Sequence, residues 1–344
     1  MRRIACLIAA LGAAAALAAP PPELKPGHPQ RYTVQKGDTL WGIAARFLKD
    51  PWRWKDLWKA NPAIRDPNLI YPGDVLVLEV GADGRPRLKA LRAERLQGRV
   101  VKLSPAIREL PLKRPIPTLP AAAIEPFLSR PLVVEPGDLA DSGYVTGGME
   151  DRILLGKYSR FYARGVQGAP GDRFHLFRTG EVLRDPDSGE PLGQQALYLG
   201  SARLERPGDL AVLEITSASG EIEPGDRLLP APPAAPPPVY EPRPPETEIR
   251  GRILAALGGV VEVGSHQVVV INRGRREGLA PGHVLRILND PGPARDPVTG
   301  KSHPRPLDPS GVLMVFRAFE KLSYGLVMES TRAVHVGDVV ATPE

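Results

Sequence analysis

The chain has 344 residues, a formal charge of +6 and a sequence pI near 9.4; this length suits two to four small domains, and the ordinary apolar and charged fractions exclude a disordered chain. No dense Lys/Arg run is present, which argues against a nucleic-acid binder. The 40 prolines, well above the usual ~5%, place much of the chain in linkers and turns.

Residues 1–19 (MRRIACLIAALGAAAALAA) have the three parts of an export signal. Arg2 and Arg3 form the basic start, Ile4 to Leu17 the apolar run and Ala16-Leu17-Ala18 the small-residue box, so cleavage after Ala18 is expected. The run falls short of the ~20 apolar residues of a bilayer span. No other segment approaches that length, and the mature chain is expected to be exported, in the periplasm or associated with the cell wall. Cys6, the only cysteine, lies near the start of the apolar run, whereas a lipidated cysteine would follow it. Its removal leaves no disulfide, thiol nucleophile or cysteine-based zinc site.

After a proline-rich leader, residues 31–80 read as strand, helix, helix, strand, an α+β module. Tyr32-Thr33-Val34 has the alternation of a short strand. Gly37-Asp38 turns the chain, and Asp38 can cap a helix beginning near Thr39. Leu40, Ile43, Ala44 and Phe47 recur at helical spacing. Asp50 suits the N-cap of a second helix and Pro51 its first position, with Trp54, Leu57 and Trp58 along one face. Asn61-Pro62 ends it. Tyr71-Pro72-Gly73-Asp74 is a turn into a closing strand, Val75 to Leu78. All four tryptophans lie in this module; Trp54 and Trp58 read as core, while Trp52 is open between packing and exposure.

Tyr32, Val34, Gly37, Asp38, Thr39, Leu40, Ile43, Ala44, Leu57, Asn61, Ile70, Pro72, Gly73 and Leu76 resemble the LysM family in order and spacing. The longer stretch between the helices, Asp50 to Trp54, departs from the family pattern. The resemblance implies binding of N-acetylglucosamine-containing glycan, peptidoglycan or chitin, in a shallow groove between the loops Gly37–Trp41 and Pro67–Tyr71. Carried onto this sequence, the glycan-binding residues are Gly37, Asp38, Thr39, Leu40, Trp41, Asn68, Leu69, Ile70 and Tyr71. Asp38 and Thr39 serve the ligand or only the helix cap, and Leu40 and Ile70 serve the ligand or the core; the residues leave both open.

Residues 81–135 read as a connector with one short strand, Arg99 to Leu103, and a stiff proline-rich stretch. Beyond it lies a tandem duplication. Residues 169–190 (APGDRFHLFRTGEVLRDPDSGE) align with 280–301 (APGHVLRILNDPGPARDPVTGK), Gly200 with Gly311, Val212–Thr216 with Val327–Thr331 and Gly225-Asp226 with Gly337-Asp338. Arg164-Gly165 and Arg273-Gly274 open the two blocks. The expected domains are β-rich, barrel- or sandwich-like units at 141–230 and 248–343, joined by a solvated Pro/Ala linker at 231–247. Arg-Asp-Pro-x-Ser/Thr-Gly, at 184–189 and 295–300, reads as hairpin-loop chemistry.

No catalytic, metal or cofactor site is expected. The six histidines form no H-E-x-x-H or H-x-H cluster, and no carboxylate pair marks a glycosidase site. Three readings follow: a non-catalytic peptidoglycan binder whose repeats position or recruit something; a wall-tethered scaffold whose repeats bind an envelope protein; and a wall hydrolase whose site the sequence does not reveal.

Overall fold

A computed structural model of the protein describes residues 21–58, 70–81, 86–91, 119–120, 123–124, 127–128, 133–134, 139, 141–149, 155–232, 240–257 and 263–343. The chain divides into two compact units, Met1–Ile116 and Pro117–Glu344. The export segment and the strand expected at Arg99 to Leu103 lie outside the described residues.

The first unit contains β1 (Arg31–Thr33), α1 (Leu40–Phe47), a 3-10 turn (Pro51–Arg53), α2 (Trp54–Trp58), β2 (Val75–Val80) and β3 (Pro86–Leu91). The strands form one antiparallel sheet in the order β1-β2-β3. Leu40, Ile43, Ala44 and Phe47 of α1, Trp54 and Leu57 of α2, and Leu76 and Leu78 of β2 make a single core. β3 corrects the expectation that residue 81 begins a connector: Leu88 pairs with Leu78 and is fully buried. Its signal is faint because Pro86, Arg87 and Lys89 give it the composition of an exposed edge. The second helix also differs from expectation. Pro51–Arg53 closes as a tight turn, with Arg53 N–H donating to Asp50 C=O at 3.0 Å, and the Asp50 side chain caps nothing.

The second unit holds two barrels. The first is built from β5 (Gly143–Gly148), β6 (Arg160–Arg164), β7 (Arg173–Arg184), β8 (Pro191–Arg206), β9 (Ala211–Ala218) and β10 (Arg227–Pro230), preceded by the short β4 (Val133–Val134). Pairing runs β5-β6-β9-β8-β7-β10 and returns to β5, which closes the ring, and β4 lies on the far end of β8. The second is a closed barrel of β11 (Arg250–Ala256), β12 (Val268–Ile271), β13 (Val284–Asn289), β16 (Asp308–Ala318), β17 (Ser323–Ser330) and β18 (Val339–Ala341), in the order β11-β12-β17-β16-β13-β18. Between β13 and β16 stands a two-stranded hairpin, β14 (Ala294–Arg295) with β15 (Ser302–His303). Strand for strand, the two rings have the same connectivity. Phe161, Leu176, Leu204, Leu213 and Ile215 fill the first interior; Ile271, Leu285, Leu313, Val327 and Val340 fill the second.

Strand pairing sets a different correspondence from residue likeness in two places. Ile215 faces Ala202 as Val327 faces Leu313, so Val212 takes the place of Tyr324 rather than of Val327. Likewise Ala163 pairs with Ala211 as Ile271 pairs with Ser323, which sets Arg164 where Asn272 stands, not Arg273. Apolar alternation repeats every two residues, so likeness along a strand tolerates slips that hydrogen-bond register does not. The described residues 240–247 are also less solvated than expected. Tyr240, Pro242 and Pro245 are buried. Arg243 N–H donates to Gly282 C=O, and Val284 N–H donates to Arg243 C=O.

One turn recurs through both units. At Pro72-Gly73-Asp74, Pro170-Gly171-Asp172, Pro224-Gly225-Asp226, Pro281-Gly282-His283 and Val336-Gly337-Asp338 the glycine has φ between +95° and +99°. That is the position of a type II turn that requires a residue without Cβ. The side chain that follows accepts the N–H three residues earlier, from Asp74 Oδ2 to Tyr71 N at 3.0 Å to His283 Nδ1 to Ala280 N at 3.2 Å. Each turn clamps one buried apolar residue of another segment: the glycine N–H donates to its C=O, and its N–H donates to the C=O of the Asp or His. The clamped residues are Val34, Leu204, Val145, Val315 and Ile253.

The β7–β8 hairpin of the first barrel reaches the second. Asp185 heads its loop; Oδ1 accepts the N–H groups of Asp187 and Ser188, the expected turn chemistry. Oδ2 accepts from Asn272 Nδ2 at 2.9 Å and Arg273 at 3.3 Å, and Asp185 and Asn272 are both buried. At the loop's other end Glu190 bonds Arg276 at 2.9 Å and Lys321 at 2.7 Å. Hydrogen bonds from Arg276 and then Lys321 hold its carboxyl down to about 2. Leu322, buried, packs where Gly193 approaches so closely that a Cβ there would lie 2.8 Å from Leu322 Cδ2. Val133 N–H and C=O both bond the buried Tyr324 hydroxyl.

Candidate glycan-binding site

The candidate surface is the edge of the first unit formed by the turn before α1 and the turn before β2. β1 and β2 pair through Tyr32 and Leu76, so the two turns emerge at the same end of the sheet. The clamp at Gly73-Asp74 ties them: Val34 N–H donates to Asp74 C=O at 2.9 Å and Gly73 N–H to Val34 C=O at 2.8 Å.

Gln35-Lys36-Gly37-Asp38 is a sixth turn of the same kind. Gly37 has φ +97°, Asp38 N–H donates to Gln35 C=O, and Asp38 Oδ2 accepts Gln35 N–H at 2.7 Å. The same oxygen accepts the Tyr32 hydroxyl at 2.9 Å. Burial, then the hydrogen bond and charge of Asp38, raise the Tyr32 phenol above its ordinary value. Arg46 stacks on the Tyr32 ring at 4.8 Å. Asp38 is therefore the brace of the turn. The helix cap is Thr39, whose Oγ1 accepts Gly42 N–H at 3.0 Å.

This sixth turn clamps nothing. Among the described residues, the Gly37 N–H and the Asp38 C=O, the two groups that grip a strand in the other five turns, have no hydrogen-bond partner. Gly37 is exposed, and a Cβ built on it meets nothing within 4 Å. The turn thus presents a donor and an acceptor side by side on backbone braced by Asp38.

The remaining predicted site residues divide by burial. Leu40, Trp41 and Ile70 are 3%, 3% and 1% exposed, so their side chains belong to the core and offer no face to a sugar. This corrects the expectation of apolar ligand contacts there. The module is small and has no disulfide, so its large apolar groups are consumed in holding the loops. Trp41 Nε1 is buried without an acceptor among the described residues. Thr39 and Tyr71 are half-buried, the Tyr71 N–H being taken by Asp74. Asn68 and Leu69 lie outside the described residues. Trp52, which the residues left open, is half-buried with its ring centroid 6.5 Å from that of Trp41. The turn amide of Gly37 was visible in the sequence only as a residue type; that its N–H is unclaimed needs the other five turns for comparison.

Among the described residues no group of three or more His, Cys, Asp or Glu could hold a metal ion, and no helix is long and apolar enough to cross a membrane. Residues 32–79 match the family model of the LysM domain. The chain is also 41% identical over 58 residues to the uncharacterized protein YqbP of Bacillus subtilis (strain 168), a match covering 14% of this chain and 26% of that relative. The chain therefore spans about a quarter of that relative's length. LysM domains bind glycans of the peptidoglycan and chitin type and occur typically in extracellular or cell-wall proteins. The two paired turns, the α1–α2 core and the family match agree: residues 32–79 are a LysM domain, and this is a LysM-domain-containing protein.

Proposed function

We propose that the protein is a non-catalytic binder of peptidoglycan in the cell envelope, exported there by residues 1–18, and that the turn at Gly37-Asp38 receives the N-acetylglucosamine acetamido group. The observation that supports this is the open pair, Gly37 N–H and Asp38 C=O, on the glycine-centred turn that, among the described residues, grips no strand. An amide offers both a carbonyl acceptor and an N–H donor, and neutral backbone groups discriminate it without a charged side chain. Rigid backbone that needs no reordering favours binding by a small surface.

Two measurements test the reading. Pull-down on purified sacculi should capture the full chain and lose a form lacking residues 31–80; equal capture of both sinks it. In an NMR titration with an N-acetylglucosamine oligomer, the Gly37 amide resonance should be among the most displaced; a saturable response that leaves Gly37 and Asp38 unmoved rejects the assigned site.

A second reading, a wall-tethered scaffold in which the LysM domain is the anchor, is favoured by the hairpin of the second barrel. It is fully formed, exposed and, among the described residues, bonded only within itself and to the chain beside it.

A further inference from the structure

The two barrels are joined through a head-to-tail contact, in which the hairpin of one docks on the side of the next. Contacts of that kind do not use themselves up: each leaves an unfilled hairpin at one end and an unfilled docking face at the other. Here the unfilled hairpin is 294–303, and the unfilled face is the place on the first barrel that corresponds to the docking face of the second.

The residues at these two ends match each other. In the filled junction Asp185 meets Asn272. The equivalent loop residue in the free hairpin is Asp296, with Oδ1 bonded to Val298 and Thr299 N–H groups just as Asp185 Oδ1 is to its own loop. The equivalent of Asn272 on the first barrel is Arg164, a stronger donor to a carboxylate, and it is exposed. In the filled junction Glu190 meets Lys321. In the free hairpin the place of Glu190 is taken by Lys301. Counted back from β9 and β17, the place of Lys321 is taken on the first barrel by Asp209, whose side chain is 93% exposed. Both members of that ion pair are reversed in sign together. Arg164 and Asp209 stand 3.8 Å apart, so the two charges the hairpin would meet share one small face.

The apolar contact follows the same pattern. Leu322, 2% exposed, is covered in the filled junction; its equivalent Leu210 is 46% exposed. Val298, at the tip of the free hairpin, is 90% exposed. Arg276 lies in a 3-10 turn (Arg275–Glu277) without a counterpart in the first barrel, and Gly193 corresponds to Pro304. The second contact therefore lacks two features of the first, and it needs concentration where the first is secured by the chain.

We propose that a second copy of this chain docks its first barrel on the free hairpin, with Asp296 on Arg164 and Lys301 on Asp209, so that copies associate head to tail. This association does not rest on the glycan-binding reading. Sedimentation velocity over a range of concentrations tests it on the full chain. Wild type should rise in mean mass as concentration increases. Lys301→Glu alone and Asp209→Lys alone should each lose that association, because like charges then face one another. An equal mixture of the two variants should regain it. The new carboxylate at position 301 of one copy then meets the new ammonium at position 209 of the other, and the reverse ends match as in wild type. That recovery also shows that both variants fold. Wild type that stays monomeric throughout overturns the proposal. So do single variants that associate like wild type, or a mixture that does not recover.

Discussion

Six glycine-centred turns of one design appear among the described residues, and they divide into five that grip a buried strand and one that does not. The five support sheets in both units, whereas the turn at Gly37-Asp38 keeps the same brace and, among the described residues, leaves the gripping groups without a partner. Gly-Asp is therefore not in itself a sign of a binding site. In four of the turns it closes a β-structure; at 37–38 the same two backbone groups have no hydrogen-bond partner among the described residues.

The largest effect is expected at a gripping turn, at Asp338. Its carboxylate is buried and accepts His335 N–H, Asn289 Nδ2 and Asp290 N–H. Asp338→Ala strands these donors and should cost about 3 kcal/mol or more, since each buried unsatisfied group costs ~1–3 kcal/mol. The midpoint of urea unfolding of the barrels reads it, and an unchanged midpoint would show the brace to be idle.

A smaller effect separates gripping from open turns within the LysM domain. Gly73→Ala and Gly37→Ala both place a side chain at φ near +98° and +97°, and each should lose about 1–2 kcal/mol of that domain's stability through the same left-handed strain. Only Gly37→Ala should also weaken binding of N-acetylglucosamine oligomers beyond the loss of folded protein. Equal loss of affinity in both variants would erase the distinction.

The smallest effect lies at the one turn braced by histidine. Burial, then the nearby positive charge of Arg243, lowers the His283 imidazole below its ordinary 6.5. The folded state thus stays neutral where the unfolded state has already taken up a proton. Its stabilising effect is complete above pH 6.5 and is lost as pH falls through the lowered folded value. His283→Asp should flatten the slope of barrel stability against pH just below 6.5; a slope that persists assigns it to other groups.

Much of the LysM domain was legible because its core is local. Leu40, Ile43, Ala44 and Phe47 lie on one helix, and all are buried. What could not be read was which apolar residues had surface to spare. Leu40 and Ile70 have the same composition whether they face a sugar or a core, and only packing decides. The barrels were legible as turn-rich β-structure, but not in strand order, because β5 pairs with β10 and β11 with β18 across the length of each ring. Such pairings leave no local mark. The hairpin loops show a finer limit: 184–189 and 295–300 have one turn chemistry, yet Asp185 alone is buried against a neighbour. The informative difference, Glu190 against Lys301, becomes meaningful only once Lys321 and Asp209 are seen to stand in equivalent places.

The junction at Asp185 and Asn272 changes what counts as a part of this protein. By covalent order the two barrels are separated near the proline-rich stretch that follows residue 232. By packing, the tip of one is a wall of the other, and Asn272 bonds Asp185 of the first barrel with one end and the Arg252 N–H of its own barrel with the other. A scissile bond in the linker would divide the sequence without dividing the fold. A fragment beginning at residue 240 would instead expose Asn272 and leave Arg276 and Lys321 without Glu190. The span of one barrel along the sequence and the unit joined by packing are therefore different, and the second is the larger.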